Sequence, residues 1–309
     1  TYMGYQKDSV AKLAALSDRF GIGVLEQGPH YLNFPGEHPN HLGYQRNLLV
    51  DEADLILLID VDVPWLPSKV APAPGAKVFH IDIDPLKEKL GFWHFPVLRS
   101  HAADSALVLD QLLALDEQAG AAGRAGRLAW IAEANPRIAP RLATGSDDGP
   151  ITPAELTLAV RALVNERTVV VVECPSSSGI IPAVLKMNRP GSYYGNHGAG
   201  LGWGANAAIG AKLALPDAEL ITLLGDGCFF FGVPSSAYWV AGTYNAPHLT
   251  IIYNNGGWKS PRLSTVYVHP DGPAERNDNY FVSVGAGAQL SKIAEMTGGA
   301  TGFYVEDRT

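Results

Sequence analysis

Two kinds of apolar pattern alternate along the chain. In DSVAKLAALSDRF (residues 8–20) the apolar positions recur at helical spacing and predict a helix, and GIGVLEQ (21–27) reads as a short strand after it. ADLILLIDVDVP (53–64) and KVFHIDIDP (77–85) are instead continuous apolar runs that stop on acidic residues and proline. Strands covered on both faces of a parallel sheet read this way, so the order of elements is that of an α/β fold. Between residues 121 and 150 the composition shifts to Ala, Gly and Arg and then to ATGSDDGP, which predicts a helix-bearing linker between a domain at 1–120 and a second at 151–309.

The second domain opens on ITPAELTLAVRALV, with Thr152 as N-cap, Pro153 in the first helical position and Glu155 completing a capping box. RTVVVVECP and AELITLLGDG follow as buried strands, PSSAYWVAGTY as a helix and APHLTIIYNNGG as a further strand. A parallel strand–helix–strand crossover brings the ends of its two strands to one edge of the sheet, which is where open sheets bind ligands. Gly225-Asp226-Gly227 and Asn254-Asn255-Gly256-Gly257 should therefore converge. Each motif alone is a common turn. Together, one carboxylate, one amide oxygen and nearby carbonyls make a hard donor set suited to Mg²⁺ or Ca²⁺, and Mg²⁺ in such sites completes its shell with phosphate oxygens. The glycines let backbone N–H groups approach those phosphates. A cation carrying a diphosphate would also explain how Asp226 stays charged among apolar residues.

Charge and composition narrow the partners. The chain has 309 residues, 47% of them hydrophobic, with net charge −8 and no run of Lys or Arg, which argues against nucleic acid or an anionic membrane as the main partner. Small molecules are the better expectation. No apolar stretch approaches the ~20 residues of a membrane helix, and the first ten residues lack the layout of a signal peptide, so a cytoplasmic location is expected. Cys174 and Cys228 form no CxxC pair and suggest neither a disulfide framework nor a zinc site.

The GDG at 225–227 and the NN at 254–255 resemble the signature of thiamin-diphosphate-dependent enzymes. The stretch MNRPGSYYGNHGAGLGWGANAAIGAKLALPDAELITLLGDG is similar to benzoylformate decarboxylase and acetolactate synthase-like members in particular, and NFPGEHPNHLGY and HIDIDP resemble the family's central domain. The resemblance implies two doubly wound parallel-sheet domains, a central Rossmann-like one and a diphosphate-binding one. It implies Mg²⁺ held by the side chains of Asp226 and Asn255 and the carbonyl of Gly257, with Gly225 in the motif and the amides of Gly227 and Cys228 facing the diphosphate. Ser176, with Ser177 as a nearby substitute, matches a second phosphate contact. Leu201 matches the bulky apolar residue that props the cofactor in a bent shape, and the Ala199 carbonyl matches the acceptor for its aminopyrimidine. The implied activity is decarboxylation or carboligation of a 2-keto acid by a homodimer or homotetramer, classed as a lyase or a transferase. FAD or a nucleotide in the central domain is compatible with the resemblance, but no residue here supports it.

The family's ring-activating glutamate lies in an N-terminal pyrimidine-binding domain that has no counterpart in these residues, so the resemblance implies that a partner chain or a further segment supplies it. Glu173 reads as a structural hydrogen-bonder rather than a replacement. His197 is a candidate substrate-side acid or base, while His38 and His41 read as part of a solvated loop. Two rival functions follow from the same residues. GWGANA satisfies GxGxxA, but it lacks the preceding strand and the following acidic residue of a nicotinamide dehydrogenase. A non-catalytic subunit that binds the cofactor without turnover is the other.

Overall fold

The computed structural model describes residues 1–45, 47–91, 95–116, 118–139, 145, 149–196, 200–285 and 288–308. It divides into two compact units, one of Thr1–Leu142 with Pro182–Tyr193 and one of Ala143–Ile181 with Tyr194–Thr309. Both are α/β, each built on a sheet of parallel strands.

In the first unit, helix α1 (Lys7–Phe20) buries Val10, Leu13 and Leu16 and ends at Gly21, whose φ of 65° lets the chain leave the helix in a left-handed turn. Strands β1 (Leu55–Ile59), β2 (Lys77–Asp82) and β3 (Arg99–Ala102) form a parallel sheet in that order, with Leu58 opposite His80 and Ile81 opposite His101. Helix α2 (Ser105–Leu113) starts at Asp104, whose side chain accepts from the N–H groups of Ala106 and Leu107, and its Leu109 packs with Leu13, Leu16 and Phe34. Helix α3 (Arg124–Ile138) lies inside the stretch read as a linker, and its Ile131 and Ala134 pack with Leu42 and Leu49 in the core of this unit.

Two expectations for this unit change. GIGVLEQ makes no strand beyond a single bridge between Val24 and His41. Its backbone pairs instead with the loop at residues 40–43, because Glu26, 3% exposed, takes its hydrogen bonds there and at Asn33. His41 and His38 are correspondingly not solvated. The His41 side chain is 6% exposed, with Nε2 3.0 Å from Glu26, and His38 faces Asp18 at 3.3 Å. A buried carboxylate requires hydrogen-bond partners, and the polar loop supplies them.

In the second unit, helix α4 (Pro153–Arg161) begins with the expected capping box between Thr152 and Glu155. Strand β4 (Thr168–Glu173) is buried at all six positions. Helix α5 (Ile180–Leu185) and strand β5 (Tyr193–Gly195) mark where the chain passes between units. Helix α6 (Trp203–Ala214), strand β6 (Glu219–Gly225), helix α7 (Asp226–Phe231), helix α8 (Pro234–Thr243) and strand β7 (Leu249–Tyr253) follow, then helices α9 (Lys259–Val268), α10 (Pro273–Arg276) and α11 (Leu290–Glu295). The strand order is β5-β4-β6-β7, with β6 parallel to both of its neighbours. Ala205, Ile209, Leu224, Phe229, Tyr238 and Leu290 form one core cluster, and Val169, Val171, Ala208 and Leu220 form a second.

Candidate cofactor and metal site

The register of the second sheet determines what meets at its edge. Gly225 pairs with Tyr253 and Glu173 with Leu224, so Asp226 and Asn254 follow their strand ends at the same level, and Cys174, directly after β4, is level with Gly225, one residue short of them. Asp226 opens α7 and is 2% exposed. Its Oδ1 accepts from the N–H of Gly227 at 2.9 Å and its Oδ2 from the N–H of Gly257 at 2.7 Å, which ties the two glycine motifs together. Among the described residues no Lys, Arg or His forms an ion pair with it. Its partners are thus two backbone amides at the start of α7 and in the Gly257 loop, with no cationic side chain among the described residues.

Asn255 lies beside this carboxylate's loop. Its Nδ2 donates to Ser176 Oγ at 3.2 Å, and its Oδ1 is shielded from solvent without a hydrogen-bond donor. The geometry thus brings together Ser176, Asp226, Asn255 and Gly257, drawn from the ends of β4, β6 and β7. Ser177 is buried one residue further on. Gly225 is the N-cap of α7, and Cys228 lies in the first turn of that helix. Leu201 sits half-buried in the turn that precedes α6. His197 and Ala199 fall outside the described residues.

Both cysteines are buried thiols. Burial pushes the Cys174 thiol up to about 11 against hydrogen bonds from Ser177 and Ser176. Burial likewise raises Cys228, and the nearby Glu173 raises it further. Neither is poised as a nucleophile at neutral pH.

Glu173 is 1% exposed and occupied by backbone. Its Oε1 accepts from the N–H of Gly202 at 2.7 Å and its Oε2 from that of Gly204 at 2.6 Å, with Trp203 N–H contributing between them. Burial lifts its carboxyl above the ordinary carboxylate range, and these N–H groups oppose that rise. The glutamate that ends β4 is therefore a cap for α6.

Two contacts were not visible in the sequence. The pyrrole edge of Trp258 lies against Gly227, where a Cβ would stand 2.4 Å from its Cδ1 and Nε1, and that Nε1 is buried without an acceptor. Asn206 Nδ2 donates to the carbonyls of Gly202 at 3.0 Å and Gly232 at 3.1 Å, joining the first turn of α6 to the end of α7. The only sequence signal for either was proximity to a glycine, which does not specify a contact.

The donor set has the chemistry of a hard-cation site. It offers one carboxylate, one unsatisfied amide oxygen and a loop carbonyl at Gly257, and among the described residues no group of three or more His, Cys, Asp and Glu competes with it. A Cβ at Gly257 would lie 2.0 Å from the Val282 carbonyl oxygen, so the loop's close approach requires glycine there.

Comparison with known proteins gives this edge its class: residues 176–309 match the C-terminal TPP-binding domain of thiamine pyrophosphate enzymes. Over 230 residues the chain is 32% identical to a benzoylformate decarboxylase of Pseudomonas aeruginosa, covering 73% of this chain and 40% of that protein. It is 27% identical over 248 residues to the acetolactate synthase large subunit of Haemophilus influenzae, covering 79% and 42%. The fold superposes on the thiamine diphosphate-dependent 4-hydroxybenzoylformate decarboxylase of Rhodococcus jostii with a TM-score of 0.74 at 23% identity, covering 96% of this chain and 54% of the other. The chain is thus similar to thiamin-diphosphate-dependent enzymes, benzoylformate decarboxylase and acetolactate synthase among them, and its residues 176–309 match their TPP-binding domain. It spans about half, or less, of the length of the proteins it matches.

Proposed function

We propose that residues 151–309 bind thiamin diphosphate with Mg²⁺ as part of a 2-keto acid decarboxylase or carboligase, a lyase or transferase working in the cytoplasm as a homodimer or homotetramer. One observation carries this reading: the buried carboxylate of Asp226 has no cationic side chain paired with it among the described residues, and Asn255 Oδ1, on the loop whose Gly257 N–H holds that carboxylate, lacks a donor. A divalent cation satisfies both. Asp226, Asn255 and the Gly257 carbonyl would hold the metal, the amides of Gly227 and Cys228 and the hydroxyls of Ser176 and Ser177 would face the diphosphate, and Leu201 with the Ala199 carbonyl would face the rest of the cofactor.

When bound, the cofactor's thiazolium ring supplies an electron sink for loss of CO₂ from a 2-keto acid. The chain's residues supply binding and shape. Asp226 fixes the metal loop through Gly257, and the loop and α7 lie against each other through Trp258 and Gly227. The half-exposed Trp203 and the half-buried Leu201 would limit water near the reacting carbons. The activating glutamate would come from a pyrimidine-binding domain outside residues 1–309, on another chain or a further segment, and residues 1–120 would serve as the central domain.

Calorimetric titration with thiamin diphosphate should show binding that requires Mg²⁺ and is abolished in Asp226→Ala with the fold retained. Unchanged affinity in that variant would overturn the assignment. Turnover of a 2-keto acid after addition of a pyrimidine-domain chain is expected. Cofactor binding with no turnover under any complementation would instead mark a non-catalytic subunit.

A further inference from the structure

Glu173 invests more in the turn before α6 than a cap requires. A capping side chain ordinarily answers one or two of the free amides at a helix start. Here a carboxylate that is 1% exposed accepts from Gly202 and Gly204 at 2.7 and 2.6 Å, with the Trp203 amide between them and the Asn196 amide at 3.4 Å. Among the described residues no cationic side chain pairs with it, so the negative charge rests on these N–H groups and on the positive end of the α6 dipole. Asn196 also donates to the Gly200 carbonyl at 2.7 Å, which holds the other side of Leu201.

The same turn is closed from above. Gly202 has φ of 91°, and a Cβ there would stand 2.5 Å from the Phe231 carbonyl, so its backbone is packed directly on the end of α7. Asn206 bridges Gly202 to Gly232. Leu201 is therefore the one large side chain on a turn whose two neighbours, Gly200 and Gly202, are both tied down. Glu173 is the charged member of that network, and it stands at the end of the same sheet whose next strands end in the metal and diphosphate residues.

We propose that Glu173 is a positioning residue for the cofactor's middle: by clamping the first turn of α6 it fixes Leu201 as a rigid prop, so thiamin diphosphate binds as one preorganised shape. This rests on the thiamin diphosphate reading of the site. Its consequence is a division of labour. The Asp226–Asn255–Gly257 corner recognises the Mg²⁺-diphosphate, and the Glu173–Leu201 corner recognises what is attached to it. Preorganisation of this kind raises affinity by removing an ordering cost rather than by adding a contact.

Two probes separate the corners: thiamin diphosphate and inorganic pyrophosphate, each titrated with Mg²⁺ by calorimetry into the full chain. Glu173→Gln keeps the side chain's volume but removes the charge and one acceptor. It should weaken thiamin diphosphate about tenfold, equal to about 1.4 kcal/mol, and leave pyrophosphate unchanged. Leu201→Ala should do the same, and the double variant should lose no more than either single one, since both act on one prop. The fluorescence of Trp203, at the start of α6, should shift on thiamin diphosphate addition in the wild type and lose that shift in Glu173→Gln. Should Glu173→Gln melt without cooperativity, Gly204→Ala tests the same clamp, because a Cβ there would press on Glu173 at 3.1 Å and Leu224 at 2.5 Å.

Equal affinity for thiamin diphosphate in the wild type and the clamp variants overturns the proposal. A parallel loss for both probes, or additive losses in the double variant, overturns it too, because either would mean general disruption. Failure of the wild type to bind either probe with Mg²⁺ sinks the reading of the whole site, and of these outcomes it alone does so.

Discussion

At Gly257 the backbone runs at φ 149°, and a Cβ would stand 2.0 Å from the Val282 carbonyl oxygen. At Gly256, one residue earlier, φ is 82° and nothing lies within 4 Å of the same built atom. The two glycines thus have different reasons for being glycine. Gly256→Ala should cost about 1 kcal/mol for left-handed backbone alone. Gly257→Ala should cost about 2 kcal/mol or more, since the clash must be relieved by moving residues 282–283, and that movement would also displace the N–H it donates to Asp226. Urea denaturation of the two variants checks the order; equal destabilisation would show that the Val282 contact does not govern the loop. Asp226, 2% exposed, is tied to this loop by the Gly257 N–H and to its own helix by the Gly227 N–H.

At the level of elements, α4 is the clearest case of local sequence acting through electrostatics. Thr152 accepts from the Glu155 N–H, the Glu155 carboxylate accepts from the Thr152 N–H, and Arg308 pairs with Glu155. Thr152→Ala should destabilise the second unit by about 1 kcal/mol. Arg308 and then the Thr152 amide and hydroxyl hold the Glu155 carboxyl at about 2, below its ordinary 4.5. A depressed carboxylate contributes stability that is fully present above pH 4.5 and is lost as pH falls towards 2. Thermal midpoints of the wild type should therefore fall more steeply than those of Glu155→Gln between pH 5 and pH 2, and parallel curves would rule the linkage out. The fold was legible wherever burial was two-sided. Strands β4 and β6 read directly, because Thr168–Glu173 and Leu220–Gly225 are buried without a break. Strand β3 did not, because Arg99–Ala102 is exposed at all four positions and carries no apolar signal. GIGVLEQ misled because Glu26 is satisfied by Asn33 and His41, contacts that a local pattern does not encode. In the site, Asp226 and Asn255 stood out since each closely follows a strand end, whereas Trp258 against Gly227 and Asn206 between Gly202 and Gly232 are contacts between separate elements.

Across the whole molecule, the two units differ in what a cofactor could do for them. The residues assigned to metal and diphosphate all lie in Ala143–Ile181 and Tyr194–Thr309, while the first unit has its own cores around Leu58 and Trp65, and around Leu16 and Leu109. A ligand stabilises only the states that bind it, by about 2.7 kcal/mol at a hundred times its dissociation constant. Thiamin diphosphate with Mg²⁺ at that concentration should slow amide hydrogen exchange in β4, β6 and β7 by up to about a hundredfold where exchange proceeds through unfolding of the second unit. Exchange in β1, β2 and β3 should stay as it is without ligand. Slowing of the same size in both sheets would mean that the units unfold together, and slowing in neither would mean that the glycine-flanked aspartate at the end of β6 binds no cofactor. Omitting Mg²⁺ should remove the effect, because it leaves the diphosphate facing the Asp226 side chain with no cation between them.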